Sequence, residues 1–571
     1  MRTLMPLRSM ALVLVIAVSA AACAPSPAPA APAAAPTPAR SAAPAAAPTP
    51  ARPVAAPTPA PAQPPPAPAP REQPQSGGIL PLYHTVDPTD LDALWSSSVD
   101  TQYMVASSYN GLLEYDEADY NRIVNRLAES WDVSADGNTV TLKLRKGVKW
   151  HDGQPFSSAD VKATIDLWPN PPRGTVGQQL KTLAPLINKA EAVDPLTVTV
   201  TLKHPSNGFI ILMAVGNIGT IAPKHILEKQ DNRMKTTVVG TGPYKFKSYQ
   251  RGVAYEAVKN PDYFIQGRPY LDGLKIFIIK DRATQVAALR AGQVLVGNTY
   301  DYMSSADSRG VLKDIPDKVT SVNDVAGLSP FMGFNTTRPP WNDARLRRAA
   351  YTAFDRPAAL STLYEGTGTL GSFIPPGPFA PTQDDLLKLP GFRQNKAQDI
   401  ADAKKLLADA GFPNGFKTAI LARAGNVGYQ NFAVFTQQQL AKIGIEATID
   451  SRETSAWLQA RTSKQYDLLP VTGFTSTVTP FGPIFYYGPN NDFGFEPPER
   501  DKLLLAYDME KDPAKARQAA LAFEAYLRQE VPYIPVLWTT PIRVFWKTVH
   551  GITPSVGNYN NNRWENVWLS K

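Results

Sequence analysis

The residues that could perform chemistry are few in this chain, and their spacing does not assemble them into an active site. The five histidines are scattered, with no pair at i, i+4 spacing and no carboxylate cluster beside them at the spacing of metal ligands. His151 and Asp152 are adjacent and could suit a metal or a general base, but we interpret His151 as structural. Asp384 and Asp385 lie in Pro-rich sequence, where a solvated turn is expected. The sequence therefore predicts no metal site.

Motifs typical of enzymes are either absent from the sequence or lack the secondary structure that they require. Gly-Thr-Gly-Thr-Leu-Gly at 366–371 matches the dinucleotide-binding fingerprint literally. It follows a helical stretch rather than a strand, and Pro375 and Pro376 break any helix after it, so the required strand–turn–helix is missing. The sequence has no Gly-x-Ser-x-Gly elbow and no phosphate-binding Lys loop. We predict no catalytic residues and no cofactor, and therefore a protein that is not an enzyme.

The net charge of +8 comes partly from the first 76 residues, which contain five arginines and one acid. The remaining 53 basic and 49 acidic residues give a charge of only +4, without a run of Lys or Arg. A charge that small does not provide the electrostatic footprint of a nucleic-acid-binding protein. We therefore expect no nucleic-acid partner.

Cys23 is the only cysteine, so no disulfide can form within the chain. It follows a basic start with Arg2 and Arg8, a short apolar run at 11–18, and three alanines at 20–22. This segment resembles a bacterial lipoprotein signal, in which the Cys becomes the lipidated first residue; Ala20 departs from the usual Leu. The resemblance implies a membrane anchor at Cys23, and the alternative is an ordinary secretory signal with an incidental Cys.

Residues 24–70 are almost only Pro and Ala, with 18 prolines in 47 residues. The octapeptide Ala-Ala-Ala-Pro-Thr-Pro-Ala-Arg occurs twice, at 33–40 and 45–52. Such a segment lacks the side chains to build a core, and its prolines have no amide donor. We predict a semi-stiff tether that connects the anchor to a globular body beginning near residue 75.

The body contains segments with the period of strands. Residues 140–145 and 197–202 alternate apolar and polar side chains, as half-buried strands do. Ala-Asp-Gly-Asn at 135–138 predicts a hairpin turn, in which Gly137 is free to adopt a positive φ.

Helical patterns interleave with these strands. Residues 399–411 carry apolar side chains on one helical face, and Gly411 stands where a left-handed C-terminal stop belongs. Another helix begins after Asn342 or Asp343 as its cap. From the residues alone, the body is α/β or α+β.

A series of motifs then follows along the body. They are Leu-Ala-Glu-Ser-Trp-Asp-Val-Ser-Ala-Asp-Gly at 127–137, Leu-Lys-Leu-Arg-Lys-Gly-Val-Lys-Trp-His-Asp-Gly-Gln-Pro-Phe at 142–156, Ala-Asp-Val at 159–161, Gly-Thr-Gly-Pro-Tyr at 240–244, Asn-Pro-Asp-Tyr-Phe at 260–264, Gly-Phe-Asn-Thr at 333–336, a helix at 345–356 ending in Phe-Asp-Arg, and Ala-Lys-Lys-Leu-Leu at 403–407. In content and order they resemble the family-5 extracellular solute-binding proteins, the oligopeptide, dipeptide and nickel receptors of ABC importers.

The resemblance implies an α/β fold of the two-lobed periplasmic-binding-protein type II architecture, with an extra subdomain inserted into lobe I. It implies these parts: a lipoprotein-type signal at 1–23; a disordered tether at 24–74; lobe I from 75–117, 238–326 and 537–571; the inserted subdomain at 118–237; and lobe II at 327–536. Since both ends of the body belong to lobe I, the tether should not restrict closure of the lobes.

Solute-binding sites need aromatic walls and a few polar anchors in a cleft. By resemblance, the cleft receives residues from the start of lobe I and from two stretches near the end of the body. The implied ligand contacts are His84, Thr85, Trp457, Gly473, Phe474, Thr475 and Trp538.

One departure from the family bears on the ligand. Peptide-binding relatives carry Gly-Trp-x-Ala-Asp, whose aspartate holds the α-ammonium of the peptide, whereas this chain has Thr477 there and no acid until Asp492. A buried ammonium without a counter-charge is costly, unless Asp87, Asp492 or Glu496 compensates. The usual mode of peptide binding is therefore in doubt, and an oligosaccharide or an amino-acid conjugate fits at least as well.

The resemblance thus implies a lipid-anchored, extracytoplasmic receptor that captures a small solute (a peptide, an oligosaccharide or an amino-acid conjugate). The receptor would work as a monomer and deliver the solute to an ABC permease and its ATPase at the outer face of the cell membrane or in the periplasm. The alternatives are a receptor that feeds a signalling system and an extracellular hydrolase.

Overall fold

Strands and helices alternate along the body in a computed structural model. The structure describes residues 73–571 apart from 97, 117–118, 120–121, 170–181, 217, 230–234, 237, 298–302, 326–327, 475–478, 482–487, 489–490 and 556–562. Cys23 and the Pro/Ala segment lie outside the described residues.

The strands are β1 (Ile79–His84), β2 (Leu113–Tyr115), β3 (Ile123–Asn125), β4 (Ala128–Val133), β5 (Thr139–Leu144), β6 (Ile187–Asp194), β7 (Thr197–Leu202), β8 (Tyr244–Gln250), β9 (Ala254–Lys259), β10 (Gly273–Ile278), β11 (Val319–Asn323), β12 (Leu328–Phe334), β13 (Thr369–Leu370), β14 (Lys417–Arg423), β15 (Glu446–Arg452), β16 (Leu468–Phe474), β17 (Tyr533–Pro535), β18 (Leu537–Trp538), β19 (Ile542–Trp546), β20 (Val549–His550) and β21 (Trp568–Leu569). The described helices are α1 (Val99–Val105), α2 (Ser158–Leu167), α3 (Asn207–Met213), α4 (Lys224–Leu227), α5 (Arg282–Arg290), α6 (Ser305–Asp314), α7 (Ala344–Ala353), α8 (Arg356–Tyr364), α9 (Gln383–Leu386), α10 (Lys396–Asp409), α11 (Val427–Ala441), α12 (Thr454–Thr462), α13 (Pro498–Asp508) and α14 (Pro513–Glu530), with short 3₁₀ turns at Ala106–Ser108 and Ala184–Leu186.

Three sheets carry most of these strands. One has the order β1-β10-β9-β8, with β1 and β10 parallel. A second, antiparallel throughout, has the order β4-β5-β7-β6. The third is mixed, with the order β15-β14-β16-β12-β17, and its β14 is parallel to both β15 and β16. The predicted mixture of strands and helices is confirmed.

The predicted hairpin lies between β4 and β5. Gly137 has φ +83° and donates its N–H to the carbonyl of Ser134, while the N–H of Ser134 reaches the carbonyl of Thr139. Because a side chain is strained at this φ, glycine lets the chain reverse here.

The helix predicted at 399–411 is α10, and it begins earlier than the pattern indicated. Asn395 caps it by accepting from the N–H of Gln398, and Gly411 ends it at φ +93°. Ala403 and Leu407 are buried. In α7, the cap is Asp343 rather than Asn342, since the Asp343 side chain accepts from the N–H of Arg345.

Among the residues that the structure describes, the buried side chains form three apolar clusters. One uses β12, β14 and β16 together with α7, α10, α11 and α14, and all its buried members fall between residues 331 and 537. The largest contains members of the β1-β10-β9-β8 and β4-β5-β7-β6 sheets, together with some side chains from 374–520. The third joins α5 and α6 to β11 and β19.

The Phe-Asp-Arg motif has a structural explanation. Arg356 is fully buried and donates to the carbonyls of Pro535 (2.9 Å), Tyr351 (3.1 Å) and Gly391 (2.8 Å). Its guanidinium carbon lies 4.1 Å from the ring centroid of Tyr351. One side chain therefore ties the start of α8 to β17 and to the loop before α10.

His151 has the structural role that the sequence predicted. Its Nε2 lies 2.9 Å from the carbonyl of Gly242 and its Nδ1 3.4 Å from the N–H of Gly240, an arrangement that suits a neutral ring donating from Nε2 and accepting at Nδ1. Burial, aided by the charge of Lys245, lowers the pKa of His151 to about 4.

This pKa predicts a loss of stability in acid. The unfolded chain binds a proton at His151 below about pH 6.5, whereas the folded chain resists protonation down to about pH 4. Stability from this group is therefore complete above pH 6.5 and falls as the pH drops from 6.5 to 4. We expect His151→Gln to lessen the loss of unfolding free energy between pH 7.5 and 4.5 by about 1–3 kcal/mol, measured by urea denaturation. The same pH dependence in both proteins would contradict this assignment.

Candidate functional site

The edge of the mixed sheet where parallel strands end is the candidate binding site. Since β14 is parallel to β15 and β16, the carboxyl ends of these strands, at Arg423, Arg452 and Phe474, lie at one edge. In open α/β sheets, ligands bind in the crevice outside the carboxyl ends of the strands. Trp457, Gly473 and the backbone of Phe474, which the sequence predicted as site residues, lie at or beside this edge.

Trp457, on α12, lies beside this edge. Its ring is 5% exposed, and its Nε1–H has no hydrogen-bond partner within the described part of the chain. The guanidinium carbon of Arg461 is 5.3 Å from the Trp457 ring centroid and that of Arg423 is 6.0 Å from it, both within cation–π range. The ring of Tyr429 packs against it at a centroid distance of 6.0 Å. A buried indole N–H normally finds an acceptor, so this group is suited to receive one from a ligand.

The two arginines beside Trp457 differ in their charge environment. Arg461 forms an ion pair with Asp492, with its Nε 3.0 Å and its Nη2 2.5 Å from Asp492 Oδ2. Arg423 donates its Nε to the hydroxyl of Thr454 at 3.1 Å, and among the residues that the structure describes no carboxylate pairs with it. At the neighbouring strand end, Arg452 already pairs with Asp450. The edge therefore offers one cation, Arg423, that is not neutralised by a described residue.

At the carboxyl end of β1, His84 is fully buried. Its ring stacks on Tyr103 with centroids 4.8 Å apart, and its Nε2 lies 2.9 Å from Asp100 Oδ1. Thr85 follows it and is 8% exposed. These contacts fix the strand end; the contact of His84 and Thr85 with a ligand stays a prediction.

Trp538 is also buried, with 2% of its surface exposed. Its Nε1–H donates to the carbonyl of Ser372 at 3.2 Å, and β18, which contains it, pairs with β13. A Cβ on Gly371 would lie 2.1 Å from the Trp538 ring, so only glycine admits the indole there. This packing explains one glycine of the dinucleotide-like motif, which follows helix α8 as predicted. The contact of Trp538 with a ligand stays a prediction.

The structure describes the remaining predicted site residues only in part. Gly473 is buried and stands opposite Ser329 in the antiparallel pairing of β16 with β12. Phe474 is placed in β16, but its side chain lies outside the described residues, as do Thr475 and Thr477. Their contacts with a ligand stay predictions.

The three acids that could replace the missing aspartate already have partners. Asp87 accepts from the hydroxyl of Tyr249 and the N–H of Gly252, and Lys280 lies 3.6 Å from it. Despite the desolvation, these donors and charges hold the pKa of Asp87 below its ordinary value. Glu496 pairs with Arg500, as Asp492 does with Arg461.

Arg423, Tyr429 and Arg461 were not among the residues predicted from the sequence. That prediction rested on aromatic side chains and acids, and not on cations at the ends of strands. The signal was available: Arg423 follows the apolar run at 419–422 and precedes a turn and a helix. The described part of the chain contains no group of three or more His, Cys, Asp or Glu residues that could hold a metal ion.

Most of the body matches a known protein family. Residues 122–495 match the model of the bacterial extracellular solute-binding proteins, family 5 Middle. The chain therefore belongs to this family, the solute receptors of ABC importers.

Individual relatives cover most of the chain. The glutathione-binding protein GsiB of Escherichia coli (strain K12) is 28% identical over 492 residues, which is 83% of this chain and 91% of that protein. The solved structure of AgaA from A. tumefacien R10 in complex with agropinic acid is 27% identical, with a TM-score of 0.74 over 86% of this chain and 99% of that one. DppA from Helicobacter pylori, in complex with the peptide STSA, has a TM-score of 0.73 at 23% identity over 87% and 99% of the two chains. These neighbours confirm the predicted type II periplasmic-binding-protein fold.

None of the described helices combines the length and the apolar character that crossing a membrane requires.

Proposed function

We propose that this protein is an extracytoplasmic lipoprotein receptor that captures a small carboxylate-bearing solute, in particular an amino-acid conjugate, and delivers it unchanged to an ABC permease and its ATPase. It acts as a binding protein and not as an enzyme. The lipid anchor at Cys23 and the Pro/Ala tether keep the body at the outer face of the membrane, where it works as a monomer.

The observation that carries the ligand class is Arg423. A guanidinium at a sheet edge, beside a buried indole and without a carboxylate partner in the described chain, is arranged to receive an anion. Arg binds carboxylates with two parallel N–H···O bonds, which provides orientation as well as affinity. The indole N–H of Trp457 supplies one further donor.

The relatives above 25% identity support the same class. GsiB is named for glutathione, a γ-linked tripeptide with two free carboxylates, and AgaA was solved with agropinic acid, which is named as an acid. The pairing of Asp87, Asp492 and Glu496 with protein groups supports the expectation that a free α-ammonium is not held in the usual way.

We further propose that capture occurs by closure of two lobes, with boundaries as the sequence predicted: 75–117, 238–326 and 537–571 for lobe I, 118–237 for its inserted subdomain and 327–536 for lobe II. The apolar cluster at 331–537 supports lobe II as a body with its own core, and side chains from 374–520 also pack in the largest cluster. A solute that contacts both lobes only in the closed form stabilises that form, and the permease recognises it.

Isothermal titration calorimetry tests the ligand class. We expect one-to-one binding of glutathione or agropinic acid with Kd at or below about 1 μM, equal to about −8 kcal/mol. Glutathione diethyl ester, which lacks free carboxylates, is the matched control and should bind at least about tenfold more weakly. Equal affinity for the acid and the ester, or tighter binding of the neutral sugar maltotriose, would overturn the proposal.

A further inference from the structure

A turn in the second lobe forms hydrogen bonds with the inserted subdomain. Asp508, the last residue of α13, accepts from the hydroxyl of Ser206 at 2.9 Å and from the N–H of Gly208 at 2.6 Å. Beside it, Asn207 Nδ2 donates to the carbonyl of Glu510 at 2.5 Å. Three polar contacts thus join the beginning of α3 to a turn about 300 residues further along the chain.

A fourth contact extends this interface to the β4–β5 hairpin. Lys511 Nζ donates to the carbonyl of Ala135 at 2.9 Å, and its side chain passes over Gly137. A Cβ on Gly137 would lie 3.2 Å from Lys511 Cε. We call the contacts of Asp508, Glu510 and Lys511 with the inserted subdomain the latch.

Asp508, at the centre of the latch, is buried, and the atoms around Gly208 leave no room for a side chain. Asp508 is 3% exposed, and burial raises its pKa above the ordinary value. A Cβ on Gly208 would lie 2.6 Å from Phe481 Cζ and 3.0 Å from Asp508 Oδ1, so any larger residue separates the two sides. The phenol ring of Tyr507 contacts Phe481 and Phe379 at centroid distances of 5.5 Å.

A solvent-open groove of about 550 Å³ adjoins the latch, lined on one side by Trp131 and Ile210 and on the other by Phe379, Tyr507 and Met509. The groove lies between side chains of the inserted subdomain and side chains of the second lobe.

We propose that Asp508 sets the affinity of the receptor for its solute without touching the solute, by stabilising the closed form through the latch. The inference rests on the proposed closure of lobe II against lobe I and its inserted subdomain. In the open form, Asp508, Ser206 and Gly208 are hydrated, so removing the carboxylate destabilises only the closed form. The apparent Kd rises by the factor by which closure becomes less favourable.

Two substitutions test the latch, one in the second lobe and one in the inserted subdomain. Asp508→Ala removes the acceptor, and Gly208→Ala pushes the two surfaces apart. Each should raise the Kd for glutathione or agropinic acid about 5- to 50-fold, since hydrogen bonds to a charged group are lost in the closed form only. Glu499→Gln, an exposed substitution on the same helix as Asp508, is the matched control and should leave the Kd unchanged within about twofold.

Small-angle X-ray scattering without any solute separates this inference from the proposed ligand class. Both latch variants should show a larger radius of gyration than the wild type and the Glu499→Gln protein, even if no probe binds. If Asp508→Ala and Gly208→Ala lower the melting temperature but leave both the radius of gyration and the Kd unchanged, Asp508 is an ordinary packing residue and the latch is refuted. Failure of all probes to bind the wild type, with the scattering change present, would refute the ligand class and leave the latch standing.

Discussion

Replacing Arg423 with Ala is expected to weaken binding of the carboxylate solute by about 10- to 100-fold. The substitution removes the one cation at the sheet edge that no described carboxylate neutralises, and hydrogen bonds to a charged group contribute about 1.5–3 kcal/mol. The measurement is a calorimetric titration with glutathione or agropinic acid, whichever the wild type binds more tightly. Arg423→Lys keeps the charge but cannot form two parallel hydrogen bonds to a carboxylate. Its affinity should therefore lie between those of the wild type and Arg423→Ala.

Arg452 provides the matched control. It ends the neighbouring strand β15 but already pairs with Asp450 at 2.7 Å. Because its charge is compensated, Arg452→Ala should change the affinity by no more than about threefold. If both alanine variants lose affinity equally, the effect is one of general surface charge and the assignment of Arg423 fails. If Arg423→Ala binds as the wild type does, the anion site lies elsewhere.

The second large expected effect is a loss of folding stability when the buried ion pair beside β11 and β19 is broken. Arg543 and Asp324 form an ion pair with at most 1% of either side chain exposed; Arg543 Nε donates to Asp324 Oδ2 at 3.0 Å. Ser555 completes the network by donating its N–H to Asp324 Oδ1 and accepting from Arg543 Nη2. Arg543→Ala leaves a buried carboxylate without its counter-charge, and we expect the free energy of unfolding to fall by about 3–5 kcal/mol.

Urea denaturation measures this effect, and an exposed pair supplies the comparison. Arg290 pairs with Asp314 at the surface, with 42% of its side chain exposed, so Arg290→Ala should cost at most about 1 kcal/mol. The double variant Asp324→Leu with Arg543→Met should recover part of the loss, since it removes both buried charges. Similar losses for Arg543→Ala and Arg290→Ala would show that the buried network contributes little.

Local elements of this fold were predictable because their determinants are adjacent in the sequence. The β4–β5 hairpin needs a residue free to adopt positive φ at its tip, and Gly137 provides it. Helix α10 needs an apolar face and a left-handed stop, and Ala403, Leu407 and Gly411 provide them. The start of α10 was missed because its cap, Asn395, precedes the apolar pattern.

The site was predictable only in part, since its contacts join distant segments. Trp457 was predicted as a ligand contact, which stays a prediction, and its neighbour Arg423 is 34 positions earlier. Nothing in the local sequence shows that Asp492 neutralises Arg461 and leaves Arg423 free of a described carboxylate. In the same way, the burial of His84 against Tyr103 depends on how α1 packs on β1.

Native mass spectrometry of the purified protein, followed by identification of whatever it releases on denaturation, tests the central claim most directly. Capture without chemistry predicts one carboxylate-bearing solute per chain, released with the mass at which it was bound and unchanged after prolonged incubation with fresh protein. The Arg423→Ala protein prepared in the same way should retain much less of it. Conversion of the solute during incubation, or retention of a neutral solute by wild type and Arg423→Ala alike, would contradict the account.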